Sequence, residues 1–415
     1  AVGIEAGRNV TTGSSNTIVG RNAMDSAVTG DSNTAIGTKA LRLNTSGDDN
    51  TAVGFQAMDA NTTGNYNTAL GYYALGSNTT ARDNVALGYK ALENNTTADE
   101  NTGLGYQALK ANTTGADNTA VGHEALYSNT TGSNNTAVGK DALRNAASGD
   151  STAVGRAALY QNTTGSCTAV GSYALYDNTT GMANVAVGGW DGTTVAALRE
   201  NTTGNYNVGV GVGANESNET AHDNTAVGYK ALHDNYGYSN VGVGNSALGK
   251  TTTGFQNAAF GMLALRNNTT GQRNNAFGFY ALANATTASY NCAFGTWALD
   301  AVTTGTRNVA MGYAALTDGT SNDNTAIGHE AAMAISTGYS NTAVGSYALY
   351  TATTDNQNTA IGFEALKVST ADSTTAVGSK ALKANTTGAE NCAVGANALT
   401  SNTTGSNNTA VGTLS

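Results

Sequence analysis

The sequence predicts an all-β fold, a parallel β-solenoid of about 24 coils that forms one continuous domain over residues 1–415, each coil sixteen or seventeen residues long. Three observations predict it: a short repeat, a glycine in every unit, and no proline anywhere. The pentad Asn-Thr-Ala-Val-Gly recurs throughout, its closing glycine standing at 20, 37, 54, 71 and onward to 412. From Gly3 to Gly139 the spacing is seventeen throughout. Beyond Gly139 it is sixteen or seventeen, apart from a single interval of twenty-three between Gly188 and Gly211. Helical repeats need more than about thirty residues, and a glycine in each unit would cost a helix ~1 kcal/mol relative to alanine. The repeat length fits one solenoid coil with two short strands and two turns.

The first strand is the pentad. The residue before its glycine is apolar in all 24 complete pentads, as at Val53, Val121, Val138 and Phe277. Strand alternation, with the bulkier residue taken as buried, points this row inward, together with the Thr or Val two residues earlier. Cys292 and Cys392 stand in that Thr row. The Ala between them, present in 20 of the 24 pentads, then points outward. Ala-Leu, three and four residues past the glycine, reads as a second strand whose Leu75, Leu92 and Leu349 face the Val row across a thin interior. One Val and one Leu per coil contribute roughly 1.5–3 kcal/mol each, against ~1–2 kcal/mol of backbone entropy per residue. A lone coil is therefore unstable, and stacking must supply the remainder. Ladder positions need an N–H, which accounts for the missing proline.

Asn-Thr-Thr-Gly, as at Asn61, Asn112 and Asn385, is turn chemistry, because Gly and Asn accept positive φ and Asn and Thr bond nearby backbone. The same tetrads form Asn-x-Thr sequons, which read as turns rather than sugar acceptors. The Asn opening the pentad, present in 21 of 24, predicts an amide ladder along the stack. At 4.7–4.9 Å per coil the repeat predicts a rod roughly 115 Å long. Both termini fall mid-repeat, so the chain is expected to be a segment of a longer fibre.

Composition narrows the function. Charged residues are 12%, about half the usual ~25%. A thin net charge of −10 does not suit nucleic acid, which needs clustered Lys and Arg. No apolar run is long enough for a bilayer, so no membrane insertion by this segment is expected. Three cysteines make no disulfide framework. No nucleophile elbow or phosphate loop occurs, and the four histidines lack metal-ligand spacing. Neither catalysis, cofactor nor metal is expected.

Units such as Asn118-Thr-Ala-Val-Gly and Asn135-Thr-Ala-Val-Gly resemble the head repeats of YadA-like trimeric autotransporter adhesins. The longer phrase, with Ala-Leu and Asn-Thr-Thr-Gly, is similar to repeats of bacterial and phage tail-fibre-like proteins. The resemblance implies a left-handed parallel β-roll, a homotrimer, and an extracellular place on a cell surface or virion. The expected role is a structural fibre or adhesin segment for surface attachment or host recognition, with self as the principal partner. A phage tail-fibre shaft and a self-polymerising extracellular matrix filament are alternatives. Ice binding is disfavoured while the strand Thr is read as inward. An outward Ala ribbon would be the self-association surface.

Two places are candidate contacts for a surface glycan or host receptor. The longest interval carries a six-residue insertion at 189–194, which holds Trp190 and Asp191 and should bulge from the rod. Phe55, Tyr72, Tyr89 and Tyr106 follow the key glycine in consecutive coils, a file that either stacks sugars or packs on itself.

Overall fold

The computed structural model describes residues 1–415 as two compact units, Ala1–Val212 and Gly213–Ser415. Each is a parallel β-solenoid, about 24 coils in all, and there is no helix. The first unit holds β1 (Thr17–Val19) to β12 (Val208–Val210), and the second holds β13 (Thr225–Val227) to β24 (Thr409–Val411). Every coil contributes one strand of three residues. Thr51, Ala52 and Val53 pair in parallel with Thr68, Ala69 and Leu70, and like residues meet in this way along each unit. Shortened coils keep the register, Thr136 pairing with Thr152. So does the longest coil, Val185 pairing with Val208.

The strand faces are the reverse of the sequence expectation. The central Ala is buried at 0% exposure in coil after coil, whereas the flanking Thr and Val are half-buried or exposed. Val53, Val121 and Phe277 are half-buried and Val138 is exposed, so these four do not form the core; Leu75, Leu92 and Leu349 do. The reason is interior width. At Gly103, which stands in the Ala row, a methyl would lie 3.3 Å from Leu92 Cγ, already tight, with no room for a further carbon. The inward position opposite Leu must therefore be alanine or smaller. Cys292 and Cys392 share the outward Thr row and are half-buried, while Cys167, in the pentad Asn row, is buried.

The second strand is absent. Ala74 and Leu75 are adjacent and both fully buried, which an extended strand cannot achieve because its successive side chains point to opposite faces. A curl of left-handed residues makes this possible: Tyr73 and Leu75 have φ of 54° and 52°, and the pattern recurs at Lys90 and Leu92. The hydrogen-bond ladder nevertheless continues through the curl. Gly54 and Gln56 donate their N–H groups to Ile36 and Thr38 of the preceding coil, at 2.8 and 3.0 Å. Met58, Ala60 and Thr62 donate to Ala74, Gly76 and Thr79 of the following one, at 2.8–3.1 Å. Proline is thus excluded from far more than the strands. At the key glycine φ is +143° for Gly122, and a Cβ there would collide with the Gly139 carbonyl.

Two buried Asn rows complete the interior. Asn50 Oδ1 accepts from the N–H (3.0 Å) and Nδ2 (3.1 Å) of Asn67, while Asn50 Nδ2 donates to the Gly64 carbonyl at 2.8 Å. Asn61 Nδ2 donates to the same carbonyl at 3.1 Å and to Asn44 Oδ1 at 2.8 Å. The expected amide ladder is therefore doubled. The turn asparagines Asn61, Asn112 and Asn385 are 0% exposed, so their sequons are closed to modification in the folded chain.

Candidate binding surfaces

Each unit presents an outer strand face along its whole ladder. Turning Ala inward leaves a row of Thr beside a row of Val, Leu, Ile, Phe or Met. In the first unit Val19, Ile36, Leu70 and Leu104 of the apolar row are 38–45% exposed. In the second unit Phe260, Phe277 and Phe294 stack face to face at 4.7 and 4.4 Å, and Met311 follows them at 46% exposure. Soluble monomers rarely expose contiguous apolar patches beyond a few hundred Å². A dozen half-exposed apolar side chains at strand spacing exceed that in either unit.

The aromatic file after the key glycine is stacked on itself. Phe55, Tyr72, Tyr89 and Tyr106 lie ring on ring at 5.2 Å with interplanar angles of 6–10°, and His123 continues the file at 4.9 Å. Each inner ring has both faces covered by its neighbours. What reaches solvent is edges and the tyrosine hydroxyl side, a poor platform for a sugar ring, which needs an open face. The file stabilises the corner of the coil.

The insertion is placed differently from its sequence boundaries. Trp190 N–H donates to the Ser172 carbonyl at 3.0 Å, as Tyr73 N–H does to Phe55 in a regular coil. The ladder resumes where Ala197 N–H reaches the Gly188 carbonyl at 3.0 Å, matching Ala57 to Gly54. The looped-out segment is therefore 191–196, and Trp190 belongs to the regular coil rather than to a loop tip. Asp191 closes the loop: its Oδ1 accepts from Thr193 N–H (2.8 Å), Thr193 Oγ1 (3.0 Å) and Thr194 N–H (2.6 Å). These bonds hold the Asp191 carboxyl below its ordinary range, the Thr194 amide foremost. Asp191 is thus spent on the loop.

Trp190 keeps a half-exposed ring, at 51%, and meets Tyr173 edge to face at 6.1 Å. Tyr173, Trp190, Val195 and Arg199 line an open cleft of about 340 Å³. Arg156 lies over the Tyr173 ring at 5.3 Å and Arg199 over Tyr176 at 5.7 Å.

Sequence spacing missed clusters made by adjacent coils. His123, Glu124 and Asp141 bring their ligand-type atoms within 4.8 Å of one another. The Arg144 guanidinium already occupies the group, 2.8 Å from Glu124 and 3.6 Å from Asp141, and the Glu124 hydrogen bond raises the Arg144 pKa. His233 sits between Glu216 (2.9 Å) and Asp234 (2.6 Å), and these carboxylates, Glu216 foremost, raise its pKa. The signal was a separation of one repeat, as between Glu124 and Asp141 or between Glu216 and His233, which is lateral proximity in a solenoid. Compared with protein-family models and with curated protein sequences, the chain matches none, and its role rests on its own residues.

Proposed function

We propose that this chain is a segment of an extracellular structural fibre or adhesin, placed on a cell surface or virion, whose outward strand face is covered by further copies of itself. The main support is the apolar row beside the Thr row, present in every coil and too extensive for water-facing surface. Burying it gives each copy a long, repetitive and self-complementary contact, which closed symmetry readily uses. The pentads' resemblance to trimeric adhesin heads and tail-fibre repeats favours three copies. Sedimentation of the purified chain should give a trimer. The pair Leu87→Glu and Leu104→Glu, at exposed outer positions, should give a monomer with unchanged circular dichroism. A wild-type monomer, or a variant that assembles as before, would count against the proposal.

A second reading gains from the reversed faces. Thr34, Thr51 and Thr68 stand outward in successive coils beside Ile36, Val53 and Leu70, so hydroxyls and methyls alternate across a ladder at about 4.8 Å spacing. Such ranks can hold ordered water against an ice surface. Thermal hysteresis in solutions of the purified chain is the expected signature. Freezing identical to that of an inert protein at the same concentration removes the reading.

A further inference from the structure

We propose that the cleft formed by Tyr173, Trp190, Val195 and Arg199 binds an acidic sugar residue, its ring on Trp190 and its carboxylate on Arg199. Three observations meet there. The chain's one insertion is spliced out between Trp190 and Ala197 without disturbing the strands on either side. Because the backbone of Trp190 stays in the ladder, its ring is held by a fixed coil while Val195, on the loop, forms a wall. The loop itself is pinned by three bonds to one Asp191 oxygen. It costs little further ordering when a ligand arrives.

The lining specifies the ligand chemistry. Trp190 differs from the self-stacked corner file in meeting its neighbour at 83°, so its faces are not sealed by a parallel ring. A pyranose offers a flat C–H face of slight positive charge, which suits the negative face of an indole. Arg156 and Arg199 rest on Tyr173 and Tyr176 and make no salt bridge. Asp177 is the carboxylate that Arg199 influences, and burial of Asp177 pushes its pKa up despite that influence. Arg156 and Arg199 stand along one aromatic strip, Tyr173 and Tyr176 being 5.5 Å apart, and Arg199 is the guanidinium that lines the cleft. Arg meets a carboxylate with two parallel N–H bonds. A cleft of about 340 Å³ lies at the small end of ligand sites, room for a single ring and its substituents.

The proposal rests on the surface-attachment reading for its biological sense, but its test does not depend on self-association. The chain has two tryptophans, Trp190 and Trp297, so Trp297→Phe leaves Trp190 as the sole indole reporter. Titration of that full-length variant with sialyllactose, a glucuronic-acid disaccharide, lactose and a glutamate hexapeptide compares acid sugar, neutral sugar and acidic peptide. At least one acidic sugar should change Trp190 emission saturably, with lactose weaker by about tenfold or more. Arg199→Gln should remove that preference, and Arg199→Lys should restore only part of it. Deleting 191–196, which leaves a coil of regular length, should abolish binding while the trimer test gives its wild-type result. No binding of any acidic sugar, equal binding of lactose, equal binding of the peptide, or full binding after the deletion would each overturn the proposal.

Discussion

Ala120→Leu is expected to open the coils around it, while Val121→Ser, one residue along, leaves them closed. Ala120 is fully buried and pairs with Gly103 and Ala137 of the neighbouring coils. The row has space for a methyl and no more, as the approach of Leu92 to Gly103 shows. Three added carbons must displace Leu side chains in adjacent coils, at about 3 kcal/mol or more. Val121 points to the outer face, and losing its methyls there should change chain stability by ~0.5 kcal/mol or less. Because a repeat contacts only its neighbours, the damage stays local. Native-state hydrogen exchange, in the Leu87→Glu and Leu104→Glu background so that assembly does not enter, should show faster exchange from about residue 100 to 140 for Ala120→Leu alone. Equal protection in the two variants would mean that the faces are not as described.

The sequence made the coil legible because its period, its glycines and its lack of proline all follow from one ladder. It misled about the faces because residue bulk was taken as the guide to burial. A better guide was already present. The position before the glycine accepts Val53, Leu70, Phe277 and Met311, a range of volumes that no close-packed interior absorbs. The Ala beside it scarcely varies. Likewise, two apolar neighbours in Ala74-Leu75 contradict a half-buried strand, whose residues should alternate. The curl that buries both requires Leu75 at positive φ, which propensity alone disfavours. The cleft was legible only as an exposed Trp. Its other members include Tyr173, one coil before Trp190, and Arg199, beyond the looped-out segment, and only the stacking of coils joins them.

At one of the turns that lack their Asn, the structure stores a charge-dependent weakness. In a regular turn Asn61 fills the interior, and a side chain at Gly64, three residues on, would crowd its amide. In the second unit that pair is exchanged: Ala352 takes the Asn place and Asp355 the Gly place. Asp355 turns into the vacated volume at 1% exposure, and neither carboxylate oxygen has a hydrogen-bond partner of good geometry. The nearby Ser369 hydroxyl donates instead to the Ala371 carbonyl, at 3.4 Å. Burial foremost, with repulsion from Asp372, lifts the Asp355 pKa from 3.8 to about 7, and the closeness of Ser369 offsets this only in part. Below pH ~4 the carboxyl is largely neutral in both folded and unfolded chains. Between ~4 and 7 the unfolded chain ionises it while the folded one holds the proton, so stability falls as pH rises and levels off above 7. The full change is at most about 4 kcal/mol. Hydrogen exchange across 338–378 should therefore quicken from pH 4 to 7 beyond its intrinsic rate, and Asp355→Asn should flatten the trend. Restoring the usual pair with Ala352→Asn and Asp355→Gly should also flatten it and protect these coils at neutral pH. A wild-type profile as flat as the variants' would place the Asp355 carboxylate in water, outside the coil.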